Sequence, residues 1–387
     1  MRRQFRLMPH PRLVGDLPTP ALLLDGDVLE RNLAGMAAKT RALGVALRPH
    51  VKTHKCPEIG RMQLAHGARG VTVATLAEAA AFADAGFEDI TWAFPLVLAR
   101  LEDVVALARR ITFRVVVESA QALEALGAAA RRAGVDVHAW LEVDSGHHRS
   151  GVDPGAPASL DLAHRVAAEL GVVFDGLLTH AGHSYHARTG EERAAVAERE
   201  RAVMAAFASR LAPAGVRVSG VSVGSTPAMS AVRRLDGVTE VRPGNYAFYD
   251  FMQLAAGVCA AEDCAVTVLA SVVSHQPGAD HAVVDAGALA LSKDPGPDDP
   301  ALARGFGPVL RGLAGHELEP ALAVRGMSQE HGMVGGERPE DVAGRLAVGE
   351  KIRILPNHSC LTVAMFDEYQ VVRGEEVVDR WPIRRAR

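Results

Sequence analysis

Two short segments, far apart along the chain, contain residues whose types and spacing suit chemistry. The first is the basic run 47–55 (LRPHVKTHK), in which Lys52 lies among other cationic and imidazole side chains. A lysine amine attacks carbonyl groups when burial or neighbouring positive charge disfavours its protonated form. In a strand, positions 50, 52 and 54 would share one face and bring two histidines next to this amine. Taken alone, the same run is also typical of a basic surface loop.

The second segment is residues 356–360 (PNHSC), which directly follow the apolar run 351–355 (KIRIL). His358 and Cys360 are two positions apart, so at the end of a strand their side chains would point the same way. An imidazole and a thiolate in that arrangement form two arms of a metal site, and the soft thiolate favours zinc. A single cysteine more often serves as a small buried apolar residue, so the pair alone is a weak signal.

Together, the two segments resemble the cofactor lysine and the metal pair of the D-serine dehydratase family, whose members are fold-type III enzymes that use pyridoxal 5′-phosphate (PLP). Other segments resemble the same family: 19–21 (TPA), 182–186 (GHSYH), 284–287 (VDAG), 327–332 (MSQEHG) and 381–383 (WPI). The resemblance therefore covers nearly the whole chain. It implies that Lys52 binds PLP covalently and that His358 and Cys360 hold Zn²⁺, with Mn²⁺ and Co²⁺ as alternatives.

Short β-rich runs alternate with alanine-rich helical stretches between residues 26 and 250. The strand candidates are residues 47–49, 70–74, 90–94, 112–118, 139–144, 174–180, 218–223 and 239–242. Steps of this kind and spacing predict a closed parallel (β/α)8 barrel, with an open doubly wound sheet as the alternative. We expect this PLP-binding barrel to span residues 26–255. Functional residues of such barrels collect at the carboxyl ends of the strands, where the segments suited to chemistry also fall.

The pattern changes after about residue 255, where short apolar runs are separated by turns rich in proline and glycine, such as residues 294–297 (DPGP). This pattern predicts an antiparallel β domain over residues 256–387, which would carry the metal pair. The resemblance implies that residues 1–25, with the strand candidate 21–25, pack on that domain. Two domains also agree with the length of 387 residues, which exceeds what one hydrophobic core usually organises.

Two polar turns follow the last two predicted barrel strands. One contains Gly224, Ser225 and Thr226, and the other contains Gly244 and Asn245. Glycine lets the backbone approach a ligand closely, and hydroxyl and N–H groups at the start of a helix bind phosphate. Each turn alone would be explained as an ordinary helix cap or turn. The last two strands are, however, a common location of phosphate sites in barrels, and the resemblance implies the PLP phosphate there.

Three further residues are expected near the cofactor or the metal pair. Tyr185 resembles the residue that contacts the pyridine nitrogen in D-serine dehydratases, where a neutral phenol gives a milder electron sink than a carboxylate. His180 is expected to face the ring of PLP. His331 is expected close to the metal pair, behind its direct ligands.

The turn 144–151 (DSGHHRSG) follows another predicted strand. Arg149 resembles the arginine that fold-type III enzymes place near the ring of PLP. An ion pair between Arg149 and Asp144 explains this arginine equally well. His147 and His148 are adjacent and would point to opposite sides of a strand, so we expect polar loop residues and not a joint metal site.

The resemblance implies a PLP- and metal-dependent lyase that eliminates water from a D-β-hydroxy amino acid and releases a keto acid and ammonia. Lys52 would remove the α-proton, and the metal would assist the departure of hydroxide, a poor leaving group. Three alternatives remain. A metal-dependent D-threonine or D-3-hydroxy amino acid aldolase typically has a carboxylate at the position of Cys360. An amino-acid racemase needs no metal and typically uses a tyrosine as second base, so the pair His358 and Cys360 argues against it. A non-catalytic PLP-carrier protein ends after the barrel, so the C-terminal domain argues against that alternative.

Bulk composition narrows the functional classes. The chain has 42 Lys and Arg against 46 Asp and Glu, a net charge of −4, and no long basic run, so nothing supports nucleic-acid binding. No apolar stretch approaches the roughly 20 residues of a membrane-spanning helix, and no apolar stretch of signal-peptide length follows the basic first residues. The four cysteines show no paired motif. We expect a cytoplasmic enzyme, and the resemblance implies a homodimer.

Overall fold

The computed structural model describes residues 12–336, 338–342 and 344–385. These residues fall into two compact units. The barrel unit comprises the described residues within 32–247, 256–258 and 384–385, and the β unit comprises those within 12–31, 248–255 and 259–383. The prediction that residues 1–25 pack on the second domain also concerns residues 1–11, which lie outside the described part of the chain.

The strands are numbered along the chain; β2 to β9 belong to the barrel unit, and β1 and β10 to β17 belong to the β unit. They are β1 (Ala21–Asp25), β2 (Ala46–Leu47), β3 (Val71–Val73), β4 (Asp89–Pro95), β5 (Thr112–Val117), β6 (Val137–Glu142), β7 (Val172–Leu178), β8 (Gly220–Val223), β9 (Glu240–Val241), β10 (Val266–Ser274), β11 (His281–Val284), β12 (Pro308–Leu310), β13 (Leu318–Met327), β14 (Gly332–Gly335), β15 (Lys351–Ile354), β16 (Glu368–Arg373) and β17 (Glu376–Pro382).

The helices often begin where a hydroxyl side chain accepts a backbone N–H of the first turn, as Thr75, Ser119, Thr189 and Ser225 do. They are α1 (Gly26–Ala42), α2 (Pro57–Ala65), α3 (Leu76–Asp84), α4 (Leu101–Ala108), α5 (Ala120–Ala133), α6 (Pro157–Ala168), α7 (Gly190–Leu211), α8 (Thr226–Ala231), α9 (Phe251–Ala255), α10 (Ala288–Leu291), α11 (Pro339–Val342) and α12 (Ser359–Val363). Within the described residues, none of these helices combines the length and the apolar character that crossing a membrane requires.

The barrel unit is built on parallel strands in the order β2-β9-β8-β7-β6-β5-β4-β3. A parallel bridge between His50 and Thr72 joins the segment after β2 to β3 and closes the ring. Each strand candidate from the sequence overlaps one of these strands. The predicted closed barrel is therefore confirmed, and the open doubly wound sheet is wrong.

Part of the barrel core is ionic. Arg48 is 1% exposed and pairs with Glu240 at 2.9 Å and with Asp89. Asp89 also pairs with Arg114, which in turn pairs with Asp175. Each charge of this network faces an opposite charge, which is the condition under which buried ions are tolerated. Arg48, which the sequence places in the basic run around Lys52, therefore serves the barrel core.

The β unit is built on one sheet in the order β11-β14-β13-β12-β15-β10-β1-β16-β17. The pairings are antiparallel except that β1 runs parallel to β16. The strand candidate 21–25 thus lies inside the sheet, between β10 and β16. Just before it, the Thr19 hydroxyl donates to Asp285 at 2.5 Å. This bond joins two of the segments, 19–21 and 284–287, that carry the resemblance.

Candidate active site

Lys52 lies on a tight turn and not on a strand. Strand β2 ends at Leu47, and residues Val51–Thr53 form a single 3-10 turn whose N-cap is His50. Lys52 is exposed, whereas His54 is fully buried with its Nε2 3.2 Å from Oε1 of Gln63. The prediction that positions 50, 52 and 54 share one strand face is therefore wrong. The chain thus passes from the buried Arg48, just after β2, to the exposed Lys52 within this turn.

The surroundings of Lys52 are strongly basic. Burial first, and then the nearby charges of Lys52 and Arg242, hold the pKa of His50 well below its usual range. Burial, Lys52, Arg149 and Arg242 do the same to the pKa of His180. Both imidazoles are therefore neutral near pH 7. The structure thus brings Lys52, His180 and Arg149, three of the sequence-predicted site residues, into one electrostatic cluster.

Arg242 is a member of this cluster that the sequence did not single out. It ends the last barrel strand region and is 5% exposed. Its guanidinium donates to the Thr179 carbonyl and to the Ser222 hydroxyl, and so ties together the ends of β7, β8 and β9. The sequence signal that could have identified Arg242 is its position between the apolar Val241 and the turn at Pro243.

The first predicted phosphate turn has hydroxyls that already serve the fold. Ser225 caps α8 by accepting the Ala228 N–H at 3.2 Å, and its hydroxyl is bonded to that of Ser184 at 2.7 Å. Thr226 accepts the Tyr246 N–H at 3.0 Å. The ordinary helix-cap interpretation of Ser225 is therefore confirmed. It leaves room for a phosphate role, because a cap hydroxyl and the adjoining backbone lie at the same helix start.

The second predicted phosphate turn packs directly on the lysine segment. The His50 N–H donates to the Pro243 carbonyl at 3.0 Å. A Cβ on Gly244 would lie 2.7 Å from the His50 carbonyl oxygen, so only glycine fits there. Asn245 follows, buried at 4% exposure. Gly244 and Asn245 are thereby fixed next to the segment that carries Lys52.

The segment after β7 forms a 3-10 turn, Gly182–His186, which holds Tyr185 half-buried. The ring of His147 packs directly on this turn. It lies so close that a Cβ on Gly182 would be only 2.4 Å from it. The His147 ring is also stacked on that of His183, with centroids 6.1 Å apart, and meets that of His180 edge-on at 6.2 Å. His147 is thus part of the imidazole cluster around His180, a role beyond the loop residue that we expected.

Asp144 is engaged by the other histidine of the pair. Nδ1 of His148 lies 2.7 Å from the Asp144 carboxylate, which also accepts the backbone N–H groups of Gly146 and His148. Burial alone would raise the pKa of Asp144, but these bonds hold it below its usual value. The partner that the structure shows for Asp144 is His148, and the pairing of Asp144 with Arg149 stays a prediction. Arg149 lines one cleft with His147, Thr179 and His180.

The predicted metal pair of the β unit lies at the start of a helix. Strand β15 ends at Ile354, His358 is the N-cap of α12, and Cys360 is in the first turn. The expectation of two side chains at a strand end is therefore wrong, but the two side chains still meet. Burial alone would lower the pKa of His358; the Cys360 sulfur and the Asp294 carboxylate beside it raise that pKa to about 11.

Asp294 is a member of this site that the sequence presented only as part of a turn. Its Oδ2 lies 3.1 Å from Nδ1 of His358. The amide of Asn357, in turn, donates to the Asp294 carbonyl at 2.9 Å and to the Gly305 carbonyl at 2.8 Å. With Nδ1 bonded to a carboxylate, Nε2 is the nitrogen of His358 available to a metal. The proline–glycine turn 294–297 thus places a carboxylate beside the candidate metal pair.

A second carboxylate fixes the helix that carries the pair. Asp250 accepts the Ser359 N–H at 3.0 Å and the Ser359 hydroxyl at 3.2 Å. Within the described residues, the ionisable groups found beside His358 are Cys360, Asp294 and Asp250. His331 is exposed in the loop between β13 and β14, so its predicted place close to the metal pair is not supported.

Comparison with known proteins agrees with this arrangement along the whole chain. Residues 24–250 match the family described as "Alanine racemase, N-terminal domain", and residues 265–372 match the "Putative serine dehydratase domain". A D-threo-3-hydroxyaspartate dehydratase of Delftia sp. (strain HT23) is 42% identical over 94% of this chain and 97% of its own length. The chain belongs to the D-serine dehydratase family.

Other members of the family differ in reaction. A D-serine dehydratase of Dictyostelium discoideum is 34% identical over 94% of this chain and 96% of its own length. A D-threonine aldolase of Arthrobacter sp. is 35% identical over 97% of this chain and 96% of its own length. Among solved structures, a cysteine-to-alanine variant of D-threo-3-hydroxyaspartate dehydratase, described as being in the metal-free form, superposes with a TM-score of 0.91 at 40% identity, over 96% of this chain and 99% of that one.

The barrel unit fits PLP, the cofactor of fold-type III enzymes. Lys52 presents an exposed amine, and the neighbouring charges of Arg149 and Arg242 suit a cofactor with an anionic phosphate. Because Gly244 has no Cβ, the turn that contains Gly244 and Asn245 can pack closely on the segment that carries Lys52. The residues present therefore match the charge and the chemistry of the group.

The β unit fits a divalent cation. His358 and Cys360 supply a nitrogen and a sulfur donor, and the surroundings already stabilise one positive charge on His358. Within the described part of the chain, no group of three or more His, Cys, Asp and Glu is arranged to hold a metal ion. Two protein donors leave further coordination positions to water or to a substrate oxygen.

Proposed function

We propose that this chain eliminates water from a D-β-hydroxy amino acid to give a keto acid and ammonia, and that a divalent metal ion, Zn²⁺ first among them, is held by His358 and Cys360. The observation that carries the proposal is the meeting of His358, Cys360 and Asp294 in one acidic site. Solved structures of D-threo-3-hydroxyaspartate dehydratase support it: one variant replaces a histidine, another replaces a cysteine two positions later, and the cysteine variant was solved in the metal-free form.

Lys52 acts on the proton at Cα. PLP, when bound by the barrel unit, would supply an electron sink that acidifies the Cα–H bond of the substrate. Lys52 takes this proton on Nζ, since it is the amine presented among the neutral imidazoles of His50 and His180. Because those imidazoles carry no charge near pH 7, the positive charge around the Lys52 amine is left to Arg149 and Arg242, which favours the neutral amine that a base requires.

His358 and Cys360 act at the β-carbon. A divalent metal ion supplies Lewis acidity at the β-hydroxyl, so that hydroxide becomes a better leaving group. His358 is held for this task by the bond from its Nδ1 to Asp294, and Asp250 fixes the start of α12 on which Cys360 lies. Loss of the Cα proton and of hydroxide gives an unsaturated amine, and water hydrolyses its C–N bond to the keto acid and ammonia.

Cleavage of the Cα–Cβ bond is the second candidate function. The D-threonine aldolase of Arthrobacter is 35% identical to this chain, so the fold alone does not decide between the reactions. An aldolase must remove the hydroxyl proton, whereas a dehydratase must release the whole hydroxyl group. The sulfur donor of Cys360 favours the dehydratase, since aldolases of this kind typically have a carboxylate at that position.

We further propose that the chain acts as a homodimer, as the resemblance to fold-type III enzymes implies. Light scattering at micromolar concentration should give about twice the chain mass of 41.0 kDa. A mass of one chain would contradict the dimer and leave the proposed chemistry untouched.

The reaction is tested by product analysis. The purified protein, supplied with PLP and Zn²⁺, is incubated separately with D-serine, D-threonine and D-threo-3-hydroxyaspartate. Keto acid, ammonia, glycine and aldehyde are then assayed in parallel. The proposal expects keto acid and ammonia in equal amounts from at least one substrate. Glycine and aldehyde as the only products would establish the aldolase, and unchanged carbon skeletons with inverted Cα would establish a racemase.

A further inference from the structure

Glu200, on the long helix α7, is a buried carboxylate that no step of the proposed reaction uses. It is 1% exposed. Its Oε1 accepts the N–H of Ala181 at 3.1 Å and the N–H of Gly224 at 3.2 Å. Burial raises the pKa of Glu200 to about 6, although these two bonds and Arg242 lower it. Burial of a carboxylate costs free energy, which hydrogen bonds and opposite charges must offset. The two bonds of Glu200 therefore indicate a role in holding the backbone around it.

The two N–H groups belong to two different functional turns. Ala181 precedes the turn Gly182–His186, which carries Tyr185. Gly224 opens the first predicted phosphate turn, with φ +99°. The strands before them, β7 and β8, are neighbours in the barrel, so one carboxylate oxygen reaches both turns. A second bond, between the hydroxyls of Ser184 and Ser225 at 2.7 Å, links the same two turns.

We propose that Glu200 is a positioning residue for PLP: by accepting both N–H groups it holds the phosphate turn and the Tyr185 turn in one fixed relation. This inference rests on the proposed use of PLP by the barrel unit. It also changes the role of Gly224, because the Gly224 N–H points at Glu200 and is not a donor to phosphate. Gly224 then contributes its positive φ, which turns the backbone towards Ser225.

The consequence is a selective effect on the phosphate end of the cofactor. PLP and pyridoxal offer the same aldehyde to Lys52, but only PLP has a phosphate. Loss of the Glu200 acceptor leaves two buried N–H groups without a partner and loosens the turn that faces the phosphate. Binding of PLP should weaken more than binding of pyridoxal, because both compounds would contact the Tyr185 turn but only PLP has a phosphate for the other turn.

The test compares variants of the full-length protein by equilibrium dialysis against PLP and against pyridoxal, read by the absorbance of the bound cofactor. In Glu200→Ala we expect the Kd for PLP to rise about tenfold or more, with a clearly smaller rise in the Kd for pyridoxal. Glu200→Gln keeps an acceptor oxygen and should restore the PLP affinity. Glu198→Gln is the matched control, since Glu198 lies on the same helix in an exposed pair with Arg201 and Arg234.

A further variant keeps the test decisive if Glu200→Ala fails to fold. Glu200→Asp retains the charge but is one methylene too short to reach both N–H groups, so it should lose PLP affinity relative to pyridoxal. Normal PLP affinity in Glu200→Asp, or equal losses for PLP and pyridoxal, would overturn the inference. A wild-type protein that binds no PLP would refute the proposed cofactor instead, which is a separate result.

Discussion

The barrel unit and the β unit shift the pKa of their histidines in opposite directions. In the barrel unit, burial and the charges of Lys52 and Arg242 hold the pKa of His50 well below its usual range. In the β unit, Cys360 and Asp294 overcome the effect of burial and raise the pKa of His358 to about 11. The pKa of an imidazole therefore shows that the barrel site disfavours an added positive charge, whereas the site in the β unit favours one. The basic cluster suits an anionic cofactor, and the acidic site suits a metal cation.

The two environments are also built differently. The barrel residues lie on loops at strand ends, which backbone bonds such as that from His50 to Pro243 hold in place. The metal pair lies on the first turn of α12, which side chains fix: Asp250 holds the helix start and Asn357 holds the loop of Asp294. The comparison therefore predicts that barrel variants affect PLP and that variants of the acidic site affect the metal.

The largest effect is expected at Lys52. Lys52→Ala should remove PLP that is reducible onto the chain by borohydride, and lower turnover by about a thousandfold or more, because both the covalent attachment and the α-proton base are lost. Mass spectrometry after reduction is the measurement. Lys55→Ala is the control, since Lys55 pairs with Glu78 and should keep a normal adduct. An adduct retained on another lysine of Lys52→Ala would show that the wrong amine was chosen.

The acidic site is tested next by Cys360→Ala. We expect loss of bound metal and a decrease in dehydration on the order of a hundredfold or more, with PLP absorbance unchanged, because the sulfur donor serves only the metal. Metal analysis and product assay are run on the same preparation. Cys259→Ala, which changes another half-buried thiol of the β unit, should retain both metal and activity. Equal metal content in the two variants would remove Cys360 from the site.

A smaller effect is expected at Asp294. Asp294→Asn should weaken metal binding about 10- to 100-fold, because the amide orients His358 less firmly than the carboxylate does. Titration of the metal-stripped variant with Zn²⁺ gives the Kd. Asp280→Asn changes an exposed aspartate that also bonds a histidine, His281, and should leave the Kd unaltered. A Kd in Asp294→Asn that matches the wild-type value would contradict the orienting role.

The smallest effect is on stability against acid, and it concerns the barrel unit. Burial lowers the pKa of His54 to about 3, although the bond to Gln63 opposes the shift. Below the unfolded pKa of about 6.5, the unfolded chain takes up a proton that the folded chain refuses, so stability falls as the pH decreases from about 6.5 towards 3. The loss is at most about 1.4 kcal/mol per pH unit for this residue. His54→Gln should therefore show a smaller drop in urea midpoint between pH 7.5 and pH 5 than the wild type, and an equal drop would exclude His54 as a cause.

The regular parts of the molecule were predictable because they repeat. Alternation of β-rich and alanine-rich runs predicted the barrel, and its strand ends predicted where Lys52, Gly224 and Gly244 fall. The local shape of the lysine segment was not predictable, since the segment contacts residues far away in sequence: Arg48 pairs with Asp89 and Glu240, and the His50 N–H donates to the Pro243 carbonyl.

Contacts between distant segments account for the other differences. Asp294 and His358 are 64 positions apart, and Glu200 and Gly224 are 24 apart, so neither pair shows a local pattern. Strand geometry was the reason to pair His358 with Cys360, yet they meet because the first turn of α12 brings Cys360, its second residue, towards the N-cap His358. Residue type therefore suggested these two residues as metal ligands, whereas their relative position could be described only from the fold.

Chelation tests the central claim that metal at His358 and Cys360 serves the β-hydroxyl while Lys52 serves the α-proton. The holoenzyme is dialysed against a chelator, and dehydration of the D-hydroxy amino acid and exchange of its α-proton with deuterated solvent are followed in the same sample. We predict that dehydration stops and returns with Zn²⁺, while bound PLP and α-proton exchange persist. Full dehydratase turnover in a preparation shown by metal analysis to be metal-free would contradict the account.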